Sequence, residues 1–457
     1  MSDPMMDLAA RDQLLANAAQ RARRYLEGTQ DRLVAPTADA VAALDQFDTP
    51  VPQQGRPLAE VLEQLDVVGS PATIASAGPR YFGFVTGGTH PAALAASWLA
   101  TGWDQNSALS AMSPVAARLD SIALGWIVDL LGLPSGTGGG FVSGATMANA
   151  TALAAARDRV LADHGWDSYG DGLVGAPPVT VYVGEKAHTT IAKALGLVGL
   201  GRRRVVVLAS DDQGRIDASK LPVIADGPTI VCTQAGNVNT GACDPFDEII
   251  GWGRSSGAWV HVDGAFGLWA GAARDRKDLV AGVQHSDSWA TDAHKWLNVG
   301  YDSGVVLVRR PHDLAASLRA DASYLPTDDV DREPMHYTPQ SSQRARGVEI
   351  WAVLAALGRD GVAELVERCC VLATRLADGL SAAGLAVLND VVLNQVLVDL
   401  GPNPHEVVSR IHADGTCWAG TTSWNNKVVL RLSVSNWSTT NDDIDASISA
   451  IVDAVAG

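Results

Sequence analysis

From Gly140 onward, short β-branched runs alternate with helix-patterned stretches. The runs are 179–183 (Val-Thr-Val-Tyr-Val), 204–208 (Arg-Val-Val-Val-Leu), 229–233 (Thr-Ile-Val-Cys-Thr), 258–262 (Ala-Trp-Val-His-Val), 286–291 and 303–308. β-branched and aromatic residues suit an extended strand, so each run predicts one. Helical patterns fill the gaps, as at 189–199 and 245–254. This alternation predicts an α/β domain with a largely parallel sheet. Functional residues of such a sheet belong at strand carboxyl ends.

The pattern differs at the two ends of the chain. Residues 8–50 read as helical, with Leu8, Leu14, Leu15, Ala18 and Ala22 on one stripe and Pro50, Pro52 and Pro57 following. Such a stripe packs either on its own domain or across a partner subunit. After about residue 355 a long helix (360–383) leads to strands near 385–388 and 393–399. A helix (404–413), strands at 417–421 and 428–434, and a final helix follow, which predicts a compact α+β unit. The expected division is a helical segment over 1–75, a large α/β domain over 76–355 and a small C-terminal α+β domain over 356–457. No internal repeat or low-complexity stretch interrupts it.

Two of the strand-like runs end in chemistry. Trp259-Val-His-Val-Asp263-Gly-Ala-Phe-Gly267 ends its apolar run at Asp263, and Ser286-Asp-Ser-Trp-Ala-Thr-Asp-Ala-His-Lys295-Trp-Leu297 ends at His294-Lys295. An acid and a lysine at the ends of neighbouring strands suit pyridoxal 5′-phosphate (PLP). The lysine holds the aldehyde as a Schiff base, and the carboxylate keeps the pyridine nitrogen protonated so that the ring accepts electrons. Read singly, each residue has a plainer explanation. Lys295 could be a surface charge, Asp263 a turn residue before Gly264, and His188 a helix-start histidine. The stretch Gly138-Gly-Gly-Phe-Val-Ser-Gly-Ala-Thr-Met-Ala-Asn149 is a glycine-rich strand end running into an Ala-rich helix. It offers backbone donors to a phosphate, as a dinucleotide site also would, but it is not GxGxxG in a βαβ unit.

His-Val-Asp-x-Ala followed at this distance by Asp-x-His-Lys-Trp-Leu resembles the cofactor core of the group II PLP-dependent amino-acid decarboxylases, the family of aromatic-L-amino-acid and glutamate decarboxylases. The resemblance runs from about residue 75 to 355. It implies a fold-type I PLP enzyme that removes CO2 from the α-carbon of an L-amino acid, an aromatic one being the best single choice. It assigns the cofactor's aldehyde to Lys295 and the ring nitrogen to Asp263. Ala265 lies beside the ring, His188 stacks on it, and Ala145, Thr146 and His294 belong to the cofactor site. Thr86, in Tyr-Phe-Gly-Phe-Val-Thr-Gly-Gly, lies near the substrate carboxylate. Tyr324, in Asp-Ala-Ser-Tyr-Leu, sits on a catalytic loop and returns a proton to the carbon that loses CO2. The family builds its pocket at a subunit interface, so a homodimer with shared active sites is expected.

The chain departs from the family pattern in three places. Asp292 stands where asparagine is usual near the phosphate. Gly236-Asn237-Val238-Asn239-Thr240 stands where the aromatic-acid enzymes carry a threonine, so Asn237 is expected to take that cofactor contact. Asn106, Ala108 and Ser342 replace an aromatic and aliphatic substrate lining, which makes the pocket more polar. Rival readings are other chemistry on the same fold (transamination, aldehyde synthesis or an aldehyde-lyase), a non-catalytic regulator that keeps the fold, and a nucleotide-binding oxidoreductase.

Composition narrows the field. The 457 residues carry 34 basic and 51 acidic side chains, a net charge of −17, which disfavours nucleic acid and anionic membranes as partners. Five cysteines without a CxxC predict reduced thiols and a cytoplasmic protein. The N-terminal residues lack a basic-then-apolar leader pattern, and no apolar run is long enough for a membrane span. No metal is expected.

Overall fold

The computed structural model describes residues 8–224, 226–319 and 332–457. Seven strands form its larger sheet: β1 (Gly138–Val142), β2 (Thr180–Gly184), β3 (Val205–Leu208), β4 (Thr229–Gln234), β5 (Trp259–Asp263), β6 (Ser288–Asp292) and β7 (Gly304–Val308). Their order is β1-β7-β6-β5-β4-β2-β3. Neighbours from β6 to β3 are parallel, and β7 runs antiparallel to both β6 and β1. The reversal has a simple cause. Residues 293–303 are too few for the crossover that a parallel return requires, so β7 folds back beside β6. The expected fold-type I α/β architecture is therefore present, and each strand expected for this sheet lies within two residues of its predicted bounds.

Both faces of the sheet are covered. Alternate residues of each strand point to opposite sides, so Phe141, Val305 and Leu307 join one core with Ile127, Val260 and Trp289. Val142, Val306 and Val308 join the other, with Leu153, Val181, Ile191 and Ile230. Helix Ala145–Ala162 crosses this second face against β5, β6 and β7. Its buried residues are mostly alanines, including Ala148, Ala152, Ala155 and Ala156, and small side chains let the helix axis lie close to the strands.

A helical span, Arg346–Ala382, leads to the smaller unit and breaks at Gly358, whose φ of 61° no helix can hold. Beyond it, β8 (Ala386–Val387), β9 (Gln395–Asp399), β10 (Gly420–Trp424) and β11 (Lys427–Ser433) form an antiparallel sheet in the order β10-β11-β9-β8. Its own core includes Leu376, Val396, Val398, Ile411, Leu430 and Ile444. Asn425 and Asn426, with φ of 47° and 65°, turn β10 into β11, as a tight hairpin requires.

Two sequence expectations are corrected here. The strand expected at 417–421 begins instead at Gly420, because residues 417–418 are held elsewhere. Trp418 N–H donates to Arg80 O (3.0 Å), Phe82 N–H donates to Trp418 O (2.8 Å), and the Trp418 ring stacks between Tyr81 and His412, both at 5.0 Å. The helical expectation over 8–50 holds for Leu8–Gly28 and again for the short turns between Ala38 and Phe47. Between them the chain is tied down by Val34 N–H to Gly415 O at 2.8 Å. Arg80 adds a bond to Thr416 O (2.7 Å) and an ion pair with Asp443 (3.2 Å). Among the described residues no helix is long and apolar enough to cross a membrane.

Candidate active site

The carboxyl ends of β1, β2, β4, β5 and β6 open onto one cleft of about 390 Å³. Lys295 stands in it three residues after β6 ends. Its Nζ lies 3.2 Å from Asp292 Oδ2, and its side chain is 19% exposed, enough to react and little enough to be partly desolvated. Asp263 ends the neighbouring strand and is only 4% exposed. Burial raises its pKa to about 6; the Lys295 charge pulls it down and Asp292 pushes it up. A buried carboxylate held near neutrality is costly unless a cation or proton donor meets it.

The turn from β1 into helix Ala145–Ala162 forms another wall. Ser143, Gly144, Ala145 and Thr146 all line the cleft, so the helix N-terminus, whose first N–H groups have no helical carbonyl partner, opens toward Lys295. This turn rests on β7. A Cβ added at Gly304 would lie 2.4 Å from Gly144 Cα, and one added at Gly144 would lie 3.1 Å from the His294 ring. Asp292 reaches the same turn: its Oδ1 accepts the Ala145 N–H at 2.5 Å and lies 3.6 Å from His294 Nε2. One carboxylate therefore touches the helix start and the lysine, and lies beside the histidine.

His188 caps helix Thr189–Leu197 just beyond β2. Its Nδ1 accepts the Thr190 N–H (3.3 Å) and lies 2.8 Å from Thr190 Oγ1. Burial first, then the charges of Lys295 and Arg431, push its pKa down to about 4. The ring is thus neutral near pH 7, and the acceptor role of Nδ1 leaves its proton on Nε2. His294 accepts the Ser303 N–H on Nδ1 (3.1 Å), and its ring packs at 4.4 Å from Tyr301. The Tyr301 hydroxyl lies 3.2 Å from Thr86 Oγ1, which ties Thr86 to the cleft wall.

Lys295, Asp263, Ala265, His188, His294, Ala145 and Thr146 thus share one cleft. Four other expected residues lie apart from it. Asn237 does not line the cleft, because its side chain is taken up locally: Nδ2 donates to Lys186 O (3.1 Å), and Oδ1 accepts from Asn239 N (2.9 Å) and Thr240 N (3.3 Å). Gly236 and Val238 line the cleft in its place. Asn106 and Ser342 meet each other at 3.3 Å, and Asn106 Oδ1 accepts the Ala108 N–H at 3.1 Å. Asn106 and Ser342 line a separate surface hollow with Asp104 and Arg344. Tyr324 lies outside the described residues.

Sequence reasoning missed Tyr301 and Arg431. Tyr301 enters from the β6–β7 connection. Arg431 comes from β11 of the smaller sheet, where it interrupts the run Val428-Val-Leu-Arg-Leu432, and that interruption was the available signal. Among the described residues no carboxylate lies within ion-pair distance of Arg431, whose Nη1 donates to Asn239 Oδ1 at 3.5 Å.

These groups fit PLP. A partly buried amine can take an aldehyde, a buried acid can meet a ring nitrogen, and a helix start can take a phosphate. Comparison with known proteins bears on the same point. The conserved-domain model for pyridoxal-dependent decarboxylases matches residues 8–397. The chain is 24% identical over 443 residues to an aromatic-L-amino-acid decarboxylase of Bacillus atrophaeus, covering 92% of this chain and 90% of the relative. It is 28% identical over 477 residues to an L-2,4-diaminobutyrate decarboxylase of Rhizobium meliloti, covering 96% and 93%. The fold superposes on the crystal structure of Oryza sativa TDC with PLP and tryptamine with a TM-score of 0.90, at 21% identity over 99% of this chain and 98% of that one. With a family match across most of its length and a lysine, an acid and a helix start converging on one cleft, the chain belongs to the pyridoxal-dependent decarboxylases, carboxy-lyases that act on amino acids with PLP.

Proposed function

We propose that the enzyme decarboxylates an L-amino acid with an aromatic side chain, releasing the amine and CO2. The observation that carries the aromatic choice is Tyr301. Its ring lines the cleft, is 61% exposed, and packs on His294. An exposed ring within a cleft favours an apolar, flat partner. The B. atrophaeus relative's name supports the same choice.

When bound, PLP supplies an electron sink for the pair left behind by CO2. Lys295 would hold the aldehyde. Asp263 holds a proton at the ring nitrogen, and its burial strengthens that hold. Ala145, Thr146 and His294 hold the phosphate. His188, a neutral imidazole able to pass a proton, would hold the ring from the cleft wall. Thr86, next to Tyr301, and Arg431, a cation without a carboxylate partner among the described residues, orient the substrate carboxylate. Tyr324 returns the proton to the α-carbon.

The working unit in this reading is a cytoplasmic homodimer. Asn106 and Ser342 would complete the pocket of a second subunit, which accords with their place in a separate surface hollow, while Ala108 is buried against Leu109 and Met335 of its own chain. Trp98, Leu99 and Trp103 expose between 42% and 59% of their surface on one helix, an apolar face that suits burial against a copy. All five cysteines are free thiols, in keeping with a reducing compartment. A panel of L-amino acids, with CO2, amine and aldehyde measured together, tests the reaction. Equal yields of CO2 and aromatic amine are expected. Turnover confined to acidic or diamino acids would overturn the aromatic choice, and aldehyde in place of amine would overturn simple decarboxylation.

A further inference from the structure

Behind Asp263, outside the cleft, four buried polar side chains stand in a line. Trp259 and His261 lie on β5, Ser288 on β6 and Asn149 on helix Ala145–Ala162. Strand register sets His261 beside Ser288. Trp259 Nε1 donates to Ser288 Oγ at 2.8 Å, Ser288 Oγ lies 2.9 Å from His261 Nδ1, and His261 Nε2 lies 2.9 Å from Asn149 Oδ1. His261, Ser288 and Asn149 are fully buried, and Trp259 is 3% exposed. Packing alone would be served by apolar side chains, without the desolvation that a buried polar chain carries.

The direction of the chain follows from its first member. An indole N–H only donates, so Ser288 Oγ accepts from Trp259 and has its single hydrogen free for His261 Nδ1. His261 is neutral, since burial pushes its pKa down to about 3. With Nδ1 accepting, its one proton is on Nε2 and is donated to Asn149 Oδ1. The amide nitrogen of Asn149 then remains, with no hydrogen bond of its own among the described residues. Asp263 lies two residues beyond His261 on β5, and so on the same face of the strand, and the Asn149 side chain lowers its pKa against the effects of burial and Asp292. The reverse arrangement idles the Ser288 hydrogen and turns a carbonyl oxygen toward a carboxylate.

We propose that Trp259, Ser288, His261 and Asn149 form a one-way hydrogen-bond relay that presents the Asn149 N–H to Asp263 and so keeps the proton on the cofactor's ring nitrogen rather than on the carboxylate. The four are positioning residues. The groups that face Asp263 directly are the Ala265 N–H, which donates to Oδ1 at 3.3 Å, and Lys295, Asp292 and the Cys232 thiol, which burial keeps protonated. The Ala265 N–H comes from the turn after β5 and takes Oδ1, and none of the others is a neutral donor fixed from behind. The inference rests on the assignment of Asp263 to the ring nitrogen.

The test uses holoprotein reconstituted with PLP labelled with 15N in the ring, because the 15N shift reports where the proton lies whether or not turnover is measured. His261→Leu removes the donor to Asn149; His261→Gln keeps an N–H that can reach it. At neutral pH, His261→Leu should lower the protonated-to-neutral ratio of the ring nitrogen about tenfold, the effect of one hydrogen bond to a charged group. His261→Gln should restore most of it, and PLP should dissociate from His261→Leu about tenfold more readily. Should His261→Leu not fold, Ser288→Ala deletes one oxygen and should move the ratio in the same direction. A folded, PLP-loaded variant with the parent 15N signal would overturn the relay. So would a parent enzyme whose ring nitrogen is already neutral. Parent protein that fails to bind PLP would instead overturn the cofactor assignment itself.

Discussion

Single residues set the electrostatics of the cleft, and Asp263 gives the sharpest expectation. In cofactor-free protein its carboxyl titrates near 6 against an ordinary 3.8, chiefly through burial. A folded-state value above the unfolded one means that the contribution is intact below about pH 4 and is lost as pH rises through 6. Asparagine cannot ionise and escapes that loss. Cofactor-free Asp263→Asn should therefore gain about 3 kcal/mol relative to the parent between pH 4 and pH 8, read from denaturant melts at the two pH values. The same change should reduce turnover of the loaded enzyme on the order of 10²-fold or more, since a preorganised charge is gone. A loaded Asp263→Asn enzyme with parent turnover would remove Asp263 from the mechanism. The buried histidines act in the opposite sense. His188 and His261 have lowered values, so each withdraws stability as pH falls below 6.5, and comparison with the parent cancels that contribution.

At the scale of elements, the cofactor cradle is only as firm as the strand beneath it. Gly304 opens β7 directly under Gly144, and a methyl group there would meet backbone, which cannot swing aside. Gly304→Ala should displace the turn 143–146, weaken PLP binding at least about tenfold and reduce stability by roughly 1–3 kcal/mol. Fluorescence titration with PLP and thermal melts would report both; parent affinity would separate the cradle from β7. The strands of the large sheet were legible because each β-branched run stops where its strand stops, which also placed Asp263 and Lys295 at strand ends. The shift from 417 to Gly420 was not legible, since the partners of Trp418 are Arg80 and Phe82, far away in sequence. The same limit explains the site. His188, Ala145 and Thr146 follow their strands at once and could be read locally. Asn237 looked like a cofactor contact, but the N–H groups of residues 239 and 240 claim its oxygen. Tyr301 reaches the cleft only through the return of β7, and the charge of Arg431 reaches His188 only through the docking of the smaller sheet.

The whole molecule is best tested through subunit exchange. Lys295→Ala removes the amine that binds the aldehyde, and Tyr324→Phe removes the phenolic proton. If each active site draws these two residues from different chains, an equal mixture of the two inactive proteins should regain about a quarter of the parent's active sites, as random pairing of a twofold dimer requires. Mixtures that stay inactive after exchange, or a monomer at working concentration, would refute the shared site. One further consequence lies in how the ends of the chain are joined. Val34 and Arg80 bond to residues 415, 416 and 443, and Tyr81 stacks on Trp418. During synthesis the first eighty residues must therefore wait for the last fifty before their partners exist. Contacts so distant in sequence form slowly and late. Val34 and Tyr81, buried against Trp418 in the folded protein, spend that interval uncovered, so the span between translation and closure is the period in which this protein is most exposed to aggregation.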